Sequence, residues 1–452
     1  MKIVIFGASG DLAKRKLFPA LAKVEGGAPD LKIIGYSRAK LEDNFITKIT
    51  EFETYKQSFL DKIMYISGEY SNLEKLKDFV DEETLFYFSV PPIVYPTLFS
   101  GLSIFSNPKI AVEKPFGNDL KSFLNVRKFI SQHENTRIYL IDHYLLKPMC
   151  VALPKILSKR DSIRCLLNNN CVRSVEIYIK EELGIEGRSY FNDYGLVKDV
   201  VQNHLSEIFC LLGCTYELSM DSDSLKEKRV QFLEKVKEIN IKYTLFGQYE
   251  EYNKELGFSS DTETFVLVPL FVENERWKKV PFVLIAGKGL NEKRTEIRIE
   301  FKRKSLARVC EFLDSSDQFK NHIEIPVKDI EYFELIINVF PDNEIYFRFK
   351  SKEGFIKLVI YESCDIDRMM VENYGKYKDH EIIFNSLINN HEFACAGVDE
   401  AEILWNLFDE KKLMPKSNLF FYRKGVDMPD IASDMIVKLK EKNDSMFDSF
   451  FN

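Results

Sequence analysis

The chain has 452 residues, 45% of them hydrophobic and 29% charged, with a formal net charge of −7. That length fits two or three domains, the composition excludes an intrinsically disordered chain, and the acidic balance excludes a globally basic nucleic-acid binder while leaving room for a local basic pocket. No apolar run approaches the ~20 residues that span a bilayer, and the first one stops at Gly7 as a buried strand does.

No membrane or secretory segment is therefore expected. The eight scattered cysteines form no CxxC pair. They read as reduced thiols of a cytoplasmic protein, with no metal site.

In chain order, Lys2–Phe6, Lys32–Tyr36, Lys62–Ser67, Thr84–Val90, Lys109–Glu113 and Arg137–Ile141 read as strands. Most are continuously apolar, which predicts a parallel sheet covered on both faces. Helical stretches at Leu12–Val24 and Leu120–Glu134 alternate with them, the second preceded by the good N-caps Asn118 and Asp119. The pattern is that of a doubly wound, Rossmann-like α/β domain.

The texture changes after about residue 145. Helical patterns over Gly195–Leu212 and Lys226–Asn240 precede longer, partly alternating runs. These are Thr264–Phe271, Phe282–Ala286, Glu296–Lys302, Tyr332–Asn338, Glu344–Phe349 and Phe355–Tyr361. They predict a larger α+β domain with a mainly antiparallel sheet. The expected division is 1–145 for the α/β domain and 146–452 for the α+β domain. The polar tail from Lys438 is expected to fray.

Several clusters carry chemistry. Gly7-Ala-Ser9-Gly10-Asp11-Leu12-Ala13 follows a strand and opens a helix. Glycines there let the backbone approach a pyrophosphate, and the helix start offers unpaired N–H groups. The spacing departs from strict G-x-G-x-x-G, so a plain strand–helix turn is the competing reading. The second strand ends in Gly35-Tyr36-Ser37-Arg38, with no acid for ribose hydroxyls. An arginine there suits a 2′-phosphate, hence NADP, although a solvated arginine would look the same.

Lys114, before Pro115, leaves a strand at the edge where such sheets bind ligands. Asp142-His143-Tyr144-Leu145-Leu146-Lys147 crowds donors suited to phosphate, and a structural Asp–His pair is the alternative. His204, one of six histidines, is a candidate general base, although a lone helical histidine is more often structural. Asp199 lies five residues earlier, about 140° away around an ideal helix. Lys288 and Lys293 sit in a glycine-containing turn that reads equally as a solvated hairpin.

Taken in order, these pieces resemble the glucose-6-phosphate dehydrogenase family. The matching stretches are GASGDLAKRKL (7–17), GYSR (35–38), FYFSVPP (86–92), AVEKPFG (111–117), IDHYL-x-K (141–147), KE-x-x-G-x-EGR (180–188), KDVVQNHL (198–205) and VPFVLIAGKGLNEKRTEIR (280–298). Pro341-Asp342-Asn343-Glu344 adds another, and the resemblance spans roughly residues 1–430.

The resemblance implies oxidation of β-D-glucose 6-phosphate at C1 to 6-phosphoglucono-δ-lactone with NADP, the first step of the oxidative pentose phosphate pathway. It implies a homodimer or dimer of dimers in the cytoplasm, with neither nucleic acid nor membrane as partner. By the same resemblance, His204 is the base and Asp142 orients it. His143, Tyr144 and Lys147 hold the phosphate, with Lys293 nearby, while Glu181, Asp199 and Lys288 bind sugar hydroxyls. Lys114, preceding a cis proline, contacts substrate and coenzyme. Gly7, Ser9, Gly10, Asp11, Leu12 and Arg38 bind the coenzyme, Ser9 and Arg38 selecting the 2′-phosphate. Lys180, Arg294, Arg298, Arg348 and Lys357 fall where a second, structural NADP lies in some relatives; a solvated sheet face is the other reading.

The chain departs from the family pattern at Leu140, Leu146 and Pro148, where Arg, Gly and Glu are usual. Leu146 takes backbone freedom away beside Lys147. One residue is deleted before Tyr190, and Lys198 and Glu207 replace Arg and Gln. Two other readings compete: a non-catalytic relative that binds NADP or sugar phosphate, against which the retention of Asp142 and His204 argues, and an inositol or amino-sugar dehydrogenase, which the phosphate cradle of His143, Tyr144 and Lys147 disfavours.

Overall fold

The computed structural model describes residues 1–132, 136–159, 163–187, 189–315, 328–409, 413 and 419–444. The chain divides into two compact units. The first comprises Met1–Leu146 and Tyr374–Asn406, the second Lys147–Asn373 and Leu407–Asn452.

The first unit is built on six strands: β1 (Lys2–Phe6), β2 (Lys32–Ser37), β3 (Ile63–Ser67), β4 (Leu85–Phe88), β5 (Lys109–Glu113) and β6 (Arg137–Ile141). Their order is β3-β2-β1-β4-β5-β6, every pair parallel. This is the doubly wound order, whose direction reverses beside β1 and opens a crevice at the strand ends. All six predicted strands are present. β1 and β4 are buried along almost their whole length, as their unbroken apolar runs predict. An aromatic group of Phe6, Tyr36, Phe86, Phe88, Tyr95 and Phe99 fills one side of the sheet.

The segment Tyr374–Asn406 returns to this unit after more than two hundred residues in the other. Its helix His380–Asn389 sets Phe384 against Tyr87, Phe393 stacks on Tyr139, and Ala396 bridges to Leu140. Nothing in its local pattern signals that return, because the contacts that fix it are made to strands far away in sequence.

The second unit carries a nine-stranded sheet of β7 (Val172–Lys180), β8 (Leu245–Tyr249), β9 (Phe265–Leu270), β10 (Phe282–Gly287), β11 (Arg294–Phe301), β12 (Ile330–Phe340), β13 (Ile345–Ser351), β14 (Gly354–Tyr361) and β15 (Leu419–Tyr422). The order is β14-β13-β12-β11-β7-β10-β9-β8-β15. Only β7–β10 and β8–β15 pair in parallel. The sequence reading misses β7, β8 and β15. In β7 the polar residues Ser174, Glu176 and Lys180 break the apolar run, yet all three are buried.

The expected fraying from Lys438 is corrected over residues 438–444, where a helix spans Asp430–Asp444; residues 445–452 lie outside the described residues. Lys440 lies 2.6 Å from Glu176 of β7 and 2.7 Å from Glu300 of β11, which ties the helix to the sheet.

Candidate active site

In the first unit the Gly7–Gly10 turn follows β1 directly. Gly7 has φ +80°, and a Cβ there would stand 2.1 Å from the Ser89 carbonyl oxygen. Only glycine fits this close approach. The Gly7 N–H donates to the Tyr36 carbonyl, and the Gly10 N–H to the Gly7 carbonyl, at 2.9 and 2.8 Å. The helix that follows begins wide over Ala13–Leu17 and becomes regular over Phe18–Val24. A glycine cradle at a helix start, beside the strand-order reversal, fits a dinucleotide pyrophosphate. Arg38 is exposed, with its guanidinium 5.7 Å above the Tyr70 ring. Asp11 pairs with Arg15 at 2.7 Å, and Leu12 is exposed.

Beyond β5 the Lys114–Pro115 peptide is cis, as the resemblance implies. The preceding Glu113 is buried, its carboxylate accepting from Tyr87 at 2.5 Å and lying 3.0 Å from His380 Nε2. Tyr95 donates to the Glu113 carbonyl at 2.8 Å. Beyond β6 the Asp142 carboxylate, 1% exposed, accepts the Tyr144 N–H at 2.9 Å and so shapes the turn carrying His143 and Tyr144.

In the second unit Lys147 is the extended N-cap of the helix Pro148–Ser158. Because β7 and β10 run parallel in register, with Lys180 opposite Gly287, the next residues Glu181 and Lys288 emerge side by side. Lys288, 5% exposed, lies 2.7 Å from Glu181 and 3.4 Å from Asp199, and 4.8 Å over the Phe191 ring. Lys293 instead lies over the Phe340 ring, 5.1 Å away.

Asp199 and His204 share a wide helix over Val197–Leu205. The 140° separation expected for an ideal helix is corrected here. Wide helices bond residues five apart, so positions 199 and 204 fall one turn apart on the same side. His204 is buried. The helix start is held by Glu263, which accepts the Val197 N–H at 2.9 Å. Its carboxylate packs against Gly195, where a Cβ would come within 2.5 Å of Glu263 Oε1.

The five sheet cations all have carboxylate partners. Lys180 pairs with Asp427, Arg294 with Glu292, Arg298 with Glu296, Arg348 with Glu334, and Lys357 with Glu344. Their charge is balanced within the protein.

Two family models match. The glucose-6-phosphate dehydrogenase NAD-binding domain matches residues 4–151, and the C-terminal domain of the same enzyme matches residues 161–444. The chain belongs to the glucose-6-phosphate dehydrogenase family. A glucose-6-phosphate 1-dehydrogenase of Encephalitozoon cuniculi (strain GB-M1) is 39% identical over 98% of this chain and 100% of its own length. One of Schizosaccharomyces pombe is 30% identical over 96% of this chain and 93% of its own. A solved glucose-6-phosphate dehydrogenase in complex with glucose-6-phosphate superposes with TM-score 0.79 at 27% identity, covering 99% of this chain and 98% of that one.

Three of the departures from the family pattern have a structural account. Leu146 is buried and is not among the residues with positive φ, so glycine's freedom is not required there. Pro148 takes the first turn of its helix, where a missing N–H costs nothing. Glu207, 2% exposed, faces Arg229 at 3.5 Å, so the exchanged residue sits beside a buried cation. Arg188 lies outside the described residues. Sequence reasoning missed the supporting residues Glu113, His380 and Glu263; only their burial beside motif residues marks them, and burial is invisible in a single sequence. Among the described residues, no helix is long and apolar enough to cross a membrane.

Proposed function

We propose that this chain oxidises β-D-glucose 6-phosphate at C1 to 6-phosphoglucono-δ-lactone with NADP, opening the oxidative pentose phosphate pathway. The oxidoreductase class and a pyridine nucleotide follow from family membership; the choice of NADP is inferred from Arg38 at the end of β2, where NAD enzymes carry an acid, and from Ser9 by the family resemblance. The observation that carries the reading is the family match over both units, with the residues assigned to base, phosphate, sugar and coenzyme roles all present in the sequence.

The nicotinamide, when bound, accepts the hydride leaving C1. His204 takes the C1 hydroxyl proton, which makes the carbon a better hydride donor, and Asp142 is the carboxylate the family motif assigns to it. Glu181, Asp199 and Lys288 bind sugar hydroxyls. His143, Tyr144 and Lys147 hold the phosphate, with Lys293 as an outer cation. Gly7, Ser9, Gly10, Asp11, Leu12 and Arg38 bind the coenzyme, and Lys114 touches both ligands. The protein acts as a cytoplasmic homodimer or dimer of dimers.

The test is reduced-nicotinamide absorbance with glucose 6-phosphate or glucose, and NADP or NAD in parallel. Turnover with the phosphate ester and NADP is expected, and glucose alone should be a poor substrate. His204→Asn should abolish turnover while glucose 6-phosphate still binds; near-normal turnover refutes the base assignment.

A further inference from the structure

Asp199 and His204 owe their relation to a helix that is not of ordinary pitch. It is wide over Val197–Leu205, and wide turns are rare. Both ends are fixed. Glu263 accepts the Val197 N–H at 2.9 Å at the start, and the chain continues into the helix Ser206–Gly213, every residue of which is buried. Asp199, near the start, lies 3.4 Å from Lys288. The pitch between these anchors therefore decides where His204 stands.

Two side chains are bonded in the wide register. Asn203 Nδ2 donates to the Lys198 carbonyl at 2.7 Å, and Asn203 Oδ1 accepts the His204 N–H at 2.8 Å. Ser206 Oγ donates to the Val201 carbonyl at 2.7 Å, and the Ser206 N–H reaches the same carbonyl. Both side chains thus reach a carbonyl five residues back, whereas a serine in an ordinary helix reaches three or four. The Asn203 bonds admit one assignment. A backbone carbonyl only accepts and a backbone N–H only donates, so the amide NH2 faces Lys198 and the amide oxygen faces His204. Asn203 is 3% exposed and Ser206 fully buried, so bulk water does not stand in for either. Without the amide, two backbone groups of the wide turn lose a partner, and ordinary pitch, which pairs them within the helix, is favoured. At ordinary pitch positions 199 and 204 lie about 140° apart.

We propose that Asn203 is a positioning residue for the base: its amide, helped by the Ser206 hydroxyl, holds the wide pitch that sets His204 on the same side as Asp199. A sugar held by Asp199 and Lys288 then presents its reacting hydroxyl to His204. The inference rests on the reading of His204 as the base. Its loss should fall on the proton-transfer step and spare sugar binding, because Glu181, Asp199 and Lys288 keep their mutual contacts.

The experiment uses the full chain and its Asn203→Leu, Ser206→Ala and His204→Asn variants. Steady-state assays with glucose 6-phosphate and NADP give kcat, and calorimetry with glucose 6-phosphate gives the dissociation constant and the fraction of chains that bind. Asn203→Leu keeps the side chain's size and removes both of its bonds. It should lower kcat per binding-competent chain by roughly ten- to hundredfold, part of what a positioned base supplies, with the dissociation constant within about threefold of the parent. In Ser206→Ala the Val201 carbonyl keeps the Ser206 N–H, so kcat should fall only by roughly two- to fivefold. A parental kcat in Asn203→Leu overturns the inference, and so does a loss carried by affinity instead of kcat. If Asn203→Leu does not fold, Ser206→Ala decides: a lower kcat at parental affinity upholds the inference, and a parental kcat overturns it. An inactive His204→Asn beside a fully active Asn203→Leu removes this inference and leaves the base reading standing. Near-normal turnover in His204→Asn removes both.

Discussion

Replacing Lys440 by methionine keeps most of the side chain's bulk and removes its charge. Lys440 bridges Glu176 and Glu300, and the side chains are 19%, 9% and 14% exposed. Removing one member of a buried ionic group leaves an uncompensated charge and typically costs about 3–5 kcal/mol. Each carboxylate keeps a second partner: Glu300 has Arg173 at 2.6 Å, and Glu176 has the Tyr178 hydroxyl. The cost should therefore fall at the low end, about 3 kcal/mol. At roughly 2 °C per kcal/mol for a domain of this size, the transition of the second unit should drop by about 6 °C.

The pH dependence is specific. Burial pushes Glu300 upward, but Lys440 and Arg173 more than reverse this and hold it below its ordinary value. Its contribution is therefore present above the ordinary value of 4.5 and is lost as pH falls through the lower folded value. Burial pulls Lys440 down, but Glu176 and Glu300 outweigh it and leave it raised. That contribution is present below the ordinary value of 10.5 and is lost as pH rises through the higher folded value. The difference between parent and Lys440→Met should be flat across neutral pH and narrow in strong acid and strong base. Thermal and urea unfolding followed by circular dichroism across pH would measure it. A variant within about 0.5 kcal/mol of the parent at pH 7, the range of an ordinary surface change, would show that the carboxylates are effectively solvated and refute the argument.

Lys288→Met should raise the glucose 6-phosphate KM by roughly ten- to hundredfold, the worth of a charge-assisted hydrogen bond, because Glu181 and Asp199 lose the cation between them; an unchanged KM in steady-state assays would remove this cluster from the sugar site. Gly7→Ala should abolish nucleotide binding, since the left-handed backbone costs about 1–2 kcal/mol before the clash with Ser89 is counted. Calorimetric titration with NADP checks it, and parental affinity would show that the turn relaxes freely. His380→Ala should destabilise the first unit by about 1–3 kcal/mol, because the buried Glu113 carboxylate keeps Tyr87 but loses its histidine partner. An unaltered melt of that unit would mean that water replaces the imidazole.

Legibility followed the range of the forces involved. The strands of the first unit were readable because a parallel strand buried on both faces is a continuous apolar run, visible within five or six residues. The glycine turn was readable because close backbone approach admits one residue type. Strand β7 was not, because the burial of Glu176 and Lys180 depends on Lys440 and Asp427, more than two hundred residues away. The relation of Asp199 to His204 was misread because a helix of ideal pitch was assumed, whereas the wide helix stacks residues five apart.

The sequence by itself determined two dissimilar sheets, a nucleotide turn, the ordered motifs that give the family, and the chemical types of the candidate site residues. Those follow from local backbone preference and from side-chain chemistry, which travel with the residue. Tertiary structure alone decided that Glu181 and Lys288 stand together, through the parallel register of β7 and β10. It also decided that Tyr374–Asn406 rejoins the first unit and that the last helix is anchored by an ion group. The physical reason is common to all three: each depends on the pairing of groups far apart in the chain, which exists only once the backbone has closed around them.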